Sequence, residues 1–127
     1  MVNVVGGIIR KEQKILICRR STKEPMSGFW EFPGGKIEYG ETKKEALKRE
    51  LQEELEIDSK VGSLISNYVF NYSEESFNLF FYNISSFNGK IKKRVHDKII
   101  WENKENFRNY KFLPGDIPFI DYLLKLK

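Results

Sequence analysis

The sequence predicts an α+β fold in which helices flank a mixed β-sheet. Three observations carry that reading. β-rich runs open the chain, a strongly periodic helix follows them, and two long strand-like runs precede a final amphipathic helix. With 127 residues and no repeat, linker or low-complexity stretch, the chain reads as a single domain over residues 1–127.

Val2 to Ile9 and Lys14 to Arg19 are β-rich, and Arg10-Lys11-Glu12-Gln13 between them reads as the turn of a hairpin. A loop over residues 21–28 leads to a short strand at Phe29 to Phe32, which Pro33 ends because proline has no N–H to give a sheet. Gly34-Gly35 can take backbone conformations closed to other residues. Thr42 to Leu55 is the strongest helix, since Leu47, Leu51 and Leu55 recur every fourth residue as one apolar stripe. Strands then span Val61 to Tyr72 and Phe77 to Ile84, joined by Ser73-Glu74-Glu75-Ser76. A further strand covers Lys98 to Trp101 after the polar stretch 88–93, with a helical turn near Lys104 to Arg108. Pro114-Gly115-Asp116 punctuates the chain before a last helix, Pro118 to Leu126.

Composition narrows the class. A hydrophobic fraction of 40% supports a folded core. The net charge of +4 suits a phosphate-bearing ligand, but the basic residues are spread along the chain. No extended nucleic-acid binding is expected from so diffuse a charge. Cys18 is the single cysteine, so no internal disulfide forms, in keeping with a reducing compartment. It lies in the apolar run Ile15-Leu16-Ile17-Cys18 and reads as a small buried hydrophobe. No apolar stretch approaches the ~18 residues that span a membrane, and the N-terminus lacks the zones of a leader peptide. The expectation is a cytoplasmic protein without membrane contact, monomeric or homodimeric.

The chemistry lies on the central helix. Glu50, Glu53 and Glu54 fall within a ~100° arc of its surface, where their charges repel one another. Such a face is either solvated, with Lys43, Lys44 and Lys48 offsetting it, or held by a cation. Hard carboxylate oxygens favour Mg²⁺ or Mn²⁺ over zinc, and Mg²⁺ commonly bridges carboxylates to phosphates.

Read as spacing, Gly35 is followed by five residues and Glu41. Seven more precede Arg49-Glu50-Leu51-Gln52-Glu53-Glu54, and Ile57 closes the pattern. The segment resembles the Nudix box. Trp30-Glu31-Phe32-Pro33-Gly34-Gly35-Lys36 and Phe112-Leu113-Pro114-Gly115-Asp116-Ile117-Pro118 resemble the MutT-like branch, so the likeness covers almost the whole chain. It implies a Nudix fold, an α/β/α sandwich, and a Mg²⁺-dependent pyrophosphohydrolase that cuts a nucleoside triphosphate to the monophosphate and pyrophosphate. The substrates it suggests are oxidised nucleotides such as 8-oxo-dGTP, whose removal serves DNA repair, or CTP and dCTP.

Within that reading, the Gly35 carbonyl, Glu50 and Glu54 converge on one divalent ion, and Glu53 ligates a second ion or its water. Glu53 or Glu50 activates the attacking water, and Arg49 orients Glu53 from one turn away. Glu41 complements the positive end of the helix. Lys36 and Arg20 supply cations to the diphosphate, although each alone also reads as a solvated surface charge. Asp116 and Phe32 match base-contacting positions of the branch. An Asp carboxylate only accepts hydrogen bonds, so it selects bases with N–H donors, such as cytosine, guanine or 8-oxoguanine. Asp116 also reads as the N-cap of the last helix. Phe77, Leu79 and Phe81 share one strand face and line either the base pocket or the core.

Two positions depart from the pattern. Glu56 stands where a glycine closes the box, and a non-glycine residue in a left-handed cap costs roughly 1 kcal/mol. Val95 stands where MutT-like enzymes often carry a further Glu, six residues before the Trp matched by Trp101. Asp97 is the nearest replacement, while His96 reads as structural or exposed. These departures leave a nucleotide-binding domain without turnover as one alternative. A hydrolase of another nucleoside diphosphate derivative is the second.

Overall fold

The computed structural model describes residues 1–126. In chain order the elements are β1 (Val2–Ile8), β2 (Arg10–Lys11), β3 (Lys14–Arg20), β4 (Trp30–Glu31), β5 (Gly34–Lys36), α1 (Lys43–Leu55), β6 (Asp58–Tyr72), β7 (Glu75–Asn88), β8 (His96–Asn103) and α2 (Ile117–Lys125). Short 3₁₀ turns cover Lys104–Asn109 and Pro114–Asp116.

The strands form two sheets. One has the order β5-β1-β7-β6, with β1 parallel to β7 and the other pairs antiparallel. The second centres on β3, which pairs with β2 and β4 on one edge and with β8 on the other. Side chains alternate along each strand, so both sheets feed two cores. Ile15, Ile17, Leu79 and Phe81 pack with Phe119, Ile120 and Leu123 of α2. Leu16, Phe80 and Tyr82 pack with Leu47, Leu51 and Leu55 of α1. The sheets are thus sandwiched between the two helices, as the α/β/α expectation requires.

α1 begins as its sequence dictates. Thr42 caps it by accepting from the Glu45 N–H at 3.1 Å, and Glu45 returns a bond to the Thr42 N–H at 2.8 Å. Such a capping box is worth roughly 1 kcal/mol. Leu47, Leu51 and Leu55 are fully buried, and truncating any of them to Ala costs about 2–5 kcal/mol.

The expected hairpin is redrawn. Its first arm is β2, and the turn is Glu12-Gln13. β1 leaves for the other sheet, because Val5 to Ile8 is buried on both faces and requires neighbours on both edges. Strand bounds also move outward. β6 begins at Asp58, β7 runs to Asn88 and β8 spans His96–Asn103, while the turn between β6 and β7 shrinks to Ser73-Glu74. Phe29 and Phe32 lie outside β4.

Candidate active site

Two glycines bring α1 against the sheet. Gly34 has φ +155°, and a Cβ there would lie 1.9 Å from the Val5 carbonyl oxygen. A Cβ on Gly35 would lie 2.5 Å from the Glu50 carboxyl carbon. No side chain fits at either position, so Glu50 rests directly on the backbone of β5. Gly34 N–H also donates to Glu54 Oε1 at 3.3 Å.

Arg49 gathers the surrounding carboxylates. Its Nε and Nη2 grip Glu41 at 2.6 and 3.0 Å, while Nη1 reaches Glu50 at 2.8 Å and Glu53 at 3.1 Å. Nη2 also donates to the Lys36 carbonyl at 3.1 Å. The expected pairing with Glu53 is therefore present, but Glu41 is the two-pronged partner. Hydrogen bonds from Arg49 and from the Glu38 N–H hold the Glu41 carboxyl below its ordinary range. Glu41 thus orients Arg49, beyond marking the start of the helix.

Glu54 sits deeper. Burial pushes its carboxyl up to about 10, aided by a hydrogen bond with Glu50 and by the charges of Glu31 and Glu50. Carboxylates crowded this closely favour a shared cation, and an all-oxygen donor set suits Mg²⁺ or Mn²⁺. The residues therefore fit a divalent ion. Among the described residues no three His, Cys, Asp or Glu side chains stand as a ready cage, because Glu50 and Glu53 are turned to Arg49.

Beside this cluster lies a cavity of about 490 Å³. Gly34, Gly35, Lys36 and Asp116 line it together with Arg20, Glu31, Phe32, Phe70, Phe77, Leu79 and Phe81. Phe77, Leu79 and Phe81 pack in the α2-side core and also wall the cavity. Phe32 is 5% exposed and lies among Phe81, Phe107, Phe112 and Phe119. The Lys36 side chain is exposed at the rim.

Asp116 occupies the N-cap position of α2 as expected, but its side chain makes no capping bond there. It accepts instead from the Phe32 N–H, and burial together with the Glu31 charge pushes it up to about 8. The loop that carries it is tied by Tyr68, whose hydroxyl donates to the Gly115 carbonyl at 2.6 Å and accepts from the Phe119 N–H at 3.2 Å.

β8 behaves differently from expectation. Val95 is exposed, and Asp97 pairs with Arg19 at 2.7 Å and does not reach the carboxylate cluster. A β-bulge is the reason. Arg19 faces Lys98 and Arg20 faces His96, so Asp97 is the extra residue and is turned away. His96 is turned inward instead, buried 2.9 Å from Glu31 and 4.0 Å from Glu54. Of the two expected readings for His96, structural or exposed, burial removes the exposed one. Sequence reasoning gave Glu31 and His96 no joint role, because strand register is what brings them together. Cys18 is fully buried as expected, and burial raises its thiol.

Comparison with known proteins bears on this geometry. The NUDIX domain model matches residues 2–123. The chain is 33% identical to the CTP pyrophosphohydrolase of Escherichia coli over 127 residues, covering 100% of this chain and 94% of that protein. It is 32% identical to the 8-oxo-dGTP diphosphatase of Haemophilus influenzae over 125 residues, covering 98% and 92%. Among solved structures, the ORF135 protein of Escherichia coli superposes with a TM-score of 0.88 at 33% identity, covering 98% of this chain and 89% of that one. A MutT structure from work on Aliivibrio salmonicida and Vibrio cholerae gives a TM-score of 0.80 at 28% identity, covering 96% and 95%.

Proposed function

Because the chain belongs to the Nudix family, and is therefore a hydrolase of nucleotide anhydrides, we propose that it cleaves a nucleoside triphosphate to the monophosphate and pyrophosphate with Mg²⁺. One observation carries the reading. Gly34 and Gly35 touch the α1 carboxylates on one side and border the cavity on the other, so a nucleotide in the cavity lays its phosphates beside the cluster.

Nudix hydrolases depend on divalent metal, and here the Gly35 carbonyl, Glu50, Glu54 and Glu53 are the groups that would hold Mg²⁺, with Mn²⁺ a substitute. An ion held there would offset charge on the phosphates and make a water more acidic. Glu53, the most exposed of Glu50, Glu53 and Glu54, accepts the proton of the attacking water. Arg49 fixes Glu53 and Glu50 and is itself fixed by Glu41. Lys36 and Arg20 place positive charge along the phosphate chain.

For the base, Asp116 acts as a carboxylic acid at neutral pH rather than as the pure acceptor that the sequence suggested. Its O–H donates while its second oxygen accepts, which matches N3 and the amino group of cytosine. The same pair matches O6 and N7–H of 8-oxoguanine. Both base types named for the relatives therefore fit, and Phe70, Phe77 and Leu79 supply the apolar wall. The reading extends to the described chain as one catalytic unit.

The test is a pyrophosphate-release screen with purified protein and Mg²⁺ or Mn²⁺ across ordinary and oxidised nucleotides. Release of pyrophosphate and monophosphate from cytosine or 8-oxoguanine triphosphates is expected. No release from any member would defeat the proposal, and tight calorimetric binding without product would then favour a binding domain. That second reading has one observation behind it, the absence of a β8 carboxylate from the cluster.

A further inference from the structure

We propose that His96 is a positioning residue for substrate binding: through Glu31 it fixes the Arg20 guanidinium in the cavity wall. The inference rests on the nucleotide-hydrolase reading above and gives β8 a task other than metal binding.

Strand register brings these residues together. Cys18 faces Glu31 across the β3–β4 pair, and Arg20 faces His96 across the β3–β8 pair. Directly opposed residues share a sheet face, and so do residues two apart. Glu31, Cys18, Arg20 and His96 therefore occupy one face. The bulge at Asp97 is what turns His96 to this face.

The contacts then form a relay. His96 Nε2 lies 2.9 Å from Glu31 Oε2, and Arg20 Nη1 lies 2.9 Å from Glu31 Oε1. Both carboxylate oxygens are thus engaged, one by each neighbour. Arg20 is held further by Nε donating to the Pro25 carbonyl at 2.7 Å, while its approach to Glu24 is loose at 3.8 Å. Arg20 and Glu31 line the cavity, whereas His96 does not.

The His96 side chain is 3% exposed, and its Nδ1 has no partner among the described residues. Its Nε2 lies 2.9 Å from Glu31 and only loosely, at 4.0 Å, from Glu54, so the Glu31 contact is the one that orients the ring. Without it, Glu31 Oε2 would lose a donor at a site where its carboxyl is only 15% exposed. An under-satisfied carboxylate there swings, and the guanidinium it braces swings with it. The residue touches no substrate in this account; it acts through Arg20.

A KM-against-kcat cycle tests the relay with the full chain, Mg²⁺ and the best nucleotide from the screen. Wild-type turnover is measured first, and its absence would sink the parent reading rather than this one. His96→Leu and Arg20→Ala are each expected to raise KM about tenfold, with kcat within about threefold. The double variant should reach no more than about twentyfold, because both steps cut one relay, whereas independent residues would multiply to about a hundredfold. His96→Gln, which keeps an amide N–H for Glu31, should return KM to within about threefold of wild type. Multiplying effects, a fall in kcat at unchanged KM, or a His96→Gln variant as impaired as His96→Leu would each overturn the proposal. Should His96→Leu fail to fold, Glu31→Gln takes its place in the cycle with Arg20→Ala and faces the same criterion.

Discussion

Asp116 shows how much one side chain's surroundings decide. In water it would be ionised at neutral pH, but burial and the Glu31 charge push it up to about 8. The folded state then holds a proton that the unfolded state releases near its ordinary 3.8. Stability from this group is therefore full at low pH and is lost as pH rises toward 8. Asp116→Asn, which donates and accepts at every pH, should gain Tm relative to wild type between pH 5 and pH 8.5. It should also keep kcat/KM above pH 8, where the wild type declines. Parallel pH profiles for the two proteins would remove Asp116 from base recognition. The sequence made Asp116 visible through its Pro-Gly-Asp setting but gave it the charge of an exposed carboxylate. Glu50, Glu53, Glu54 and Arg49 were legible for the opposite reason, since helical periodicity alone fixes their shared face. Glu31 and His96 were illegible, because register across three strands and a bulge unites them.

At the scale of the element, α1 ends where a glycine is expected and Glu56 stands. Glu56 takes the left-handed conformation, φ 57° and ψ 38°, and its N–H donates to the Gln52 carbonyl as a glycine cap would. The compensation comes from the loop before β8, where Arg94 and Lys92 pair with its carboxylate and Lys92 N–H donates to the Leu55 carbonyl at 2.9 Å. Ion pairs at an exposed surface weaken in salt, whereas backbone strain does not. Glu56→Gly should therefore match wild-type Tm at low ionic strength and exceed it in 1 M NaCl. An equal difference at both salt concentrations would show that the pairs contribute nothing. Helix α1 was read from sequence almost to the residue, as its leucine stripe and capping residues are local. The fate of β1 was not, because a hairpin turn signal says nothing of which strand becomes its first arm.

The whole molecule places two helices on opposite sides of paired sheets, and only α1 carries the carboxylate cluster. Among the described residues no helix is long and apolar enough to cross a membrane. Glu54, pushed up to about 10, binds its proton more tightly folded than unfolded, so this group's contribution falls as pH rises from about 4.5. A metal ion must displace that proton. Saturating Mg²⁺ should raise Tm by about 5 °C at pH 8 and by far less at pH 5, with a chelator reversing the gain. In Glu54→Gln the metal-dependent shift should vanish at both pH values. Equal shifts in wild type and variant would place the metal elsewhere.

The central claim is that the α1 carboxylates, with a divalent ion, hydrolyse a nucleoside triphosphate bound in the adjoining cavity. Its most direct measurement is pyrophosphate and monophosphate formation during a Mg²⁺ titration of wild type and Glu53→Gln. Glu53 is 58% exposed, so its substitution leaves the core untouched. Mg²⁺-dependent turnover is expected in the wild type, with a kcat at least about a hundredfold lower in Glu53→Gln at unchanged Tm. Turnover that is indifferent to Mg²⁺, or equal in the two proteins, would contradict it.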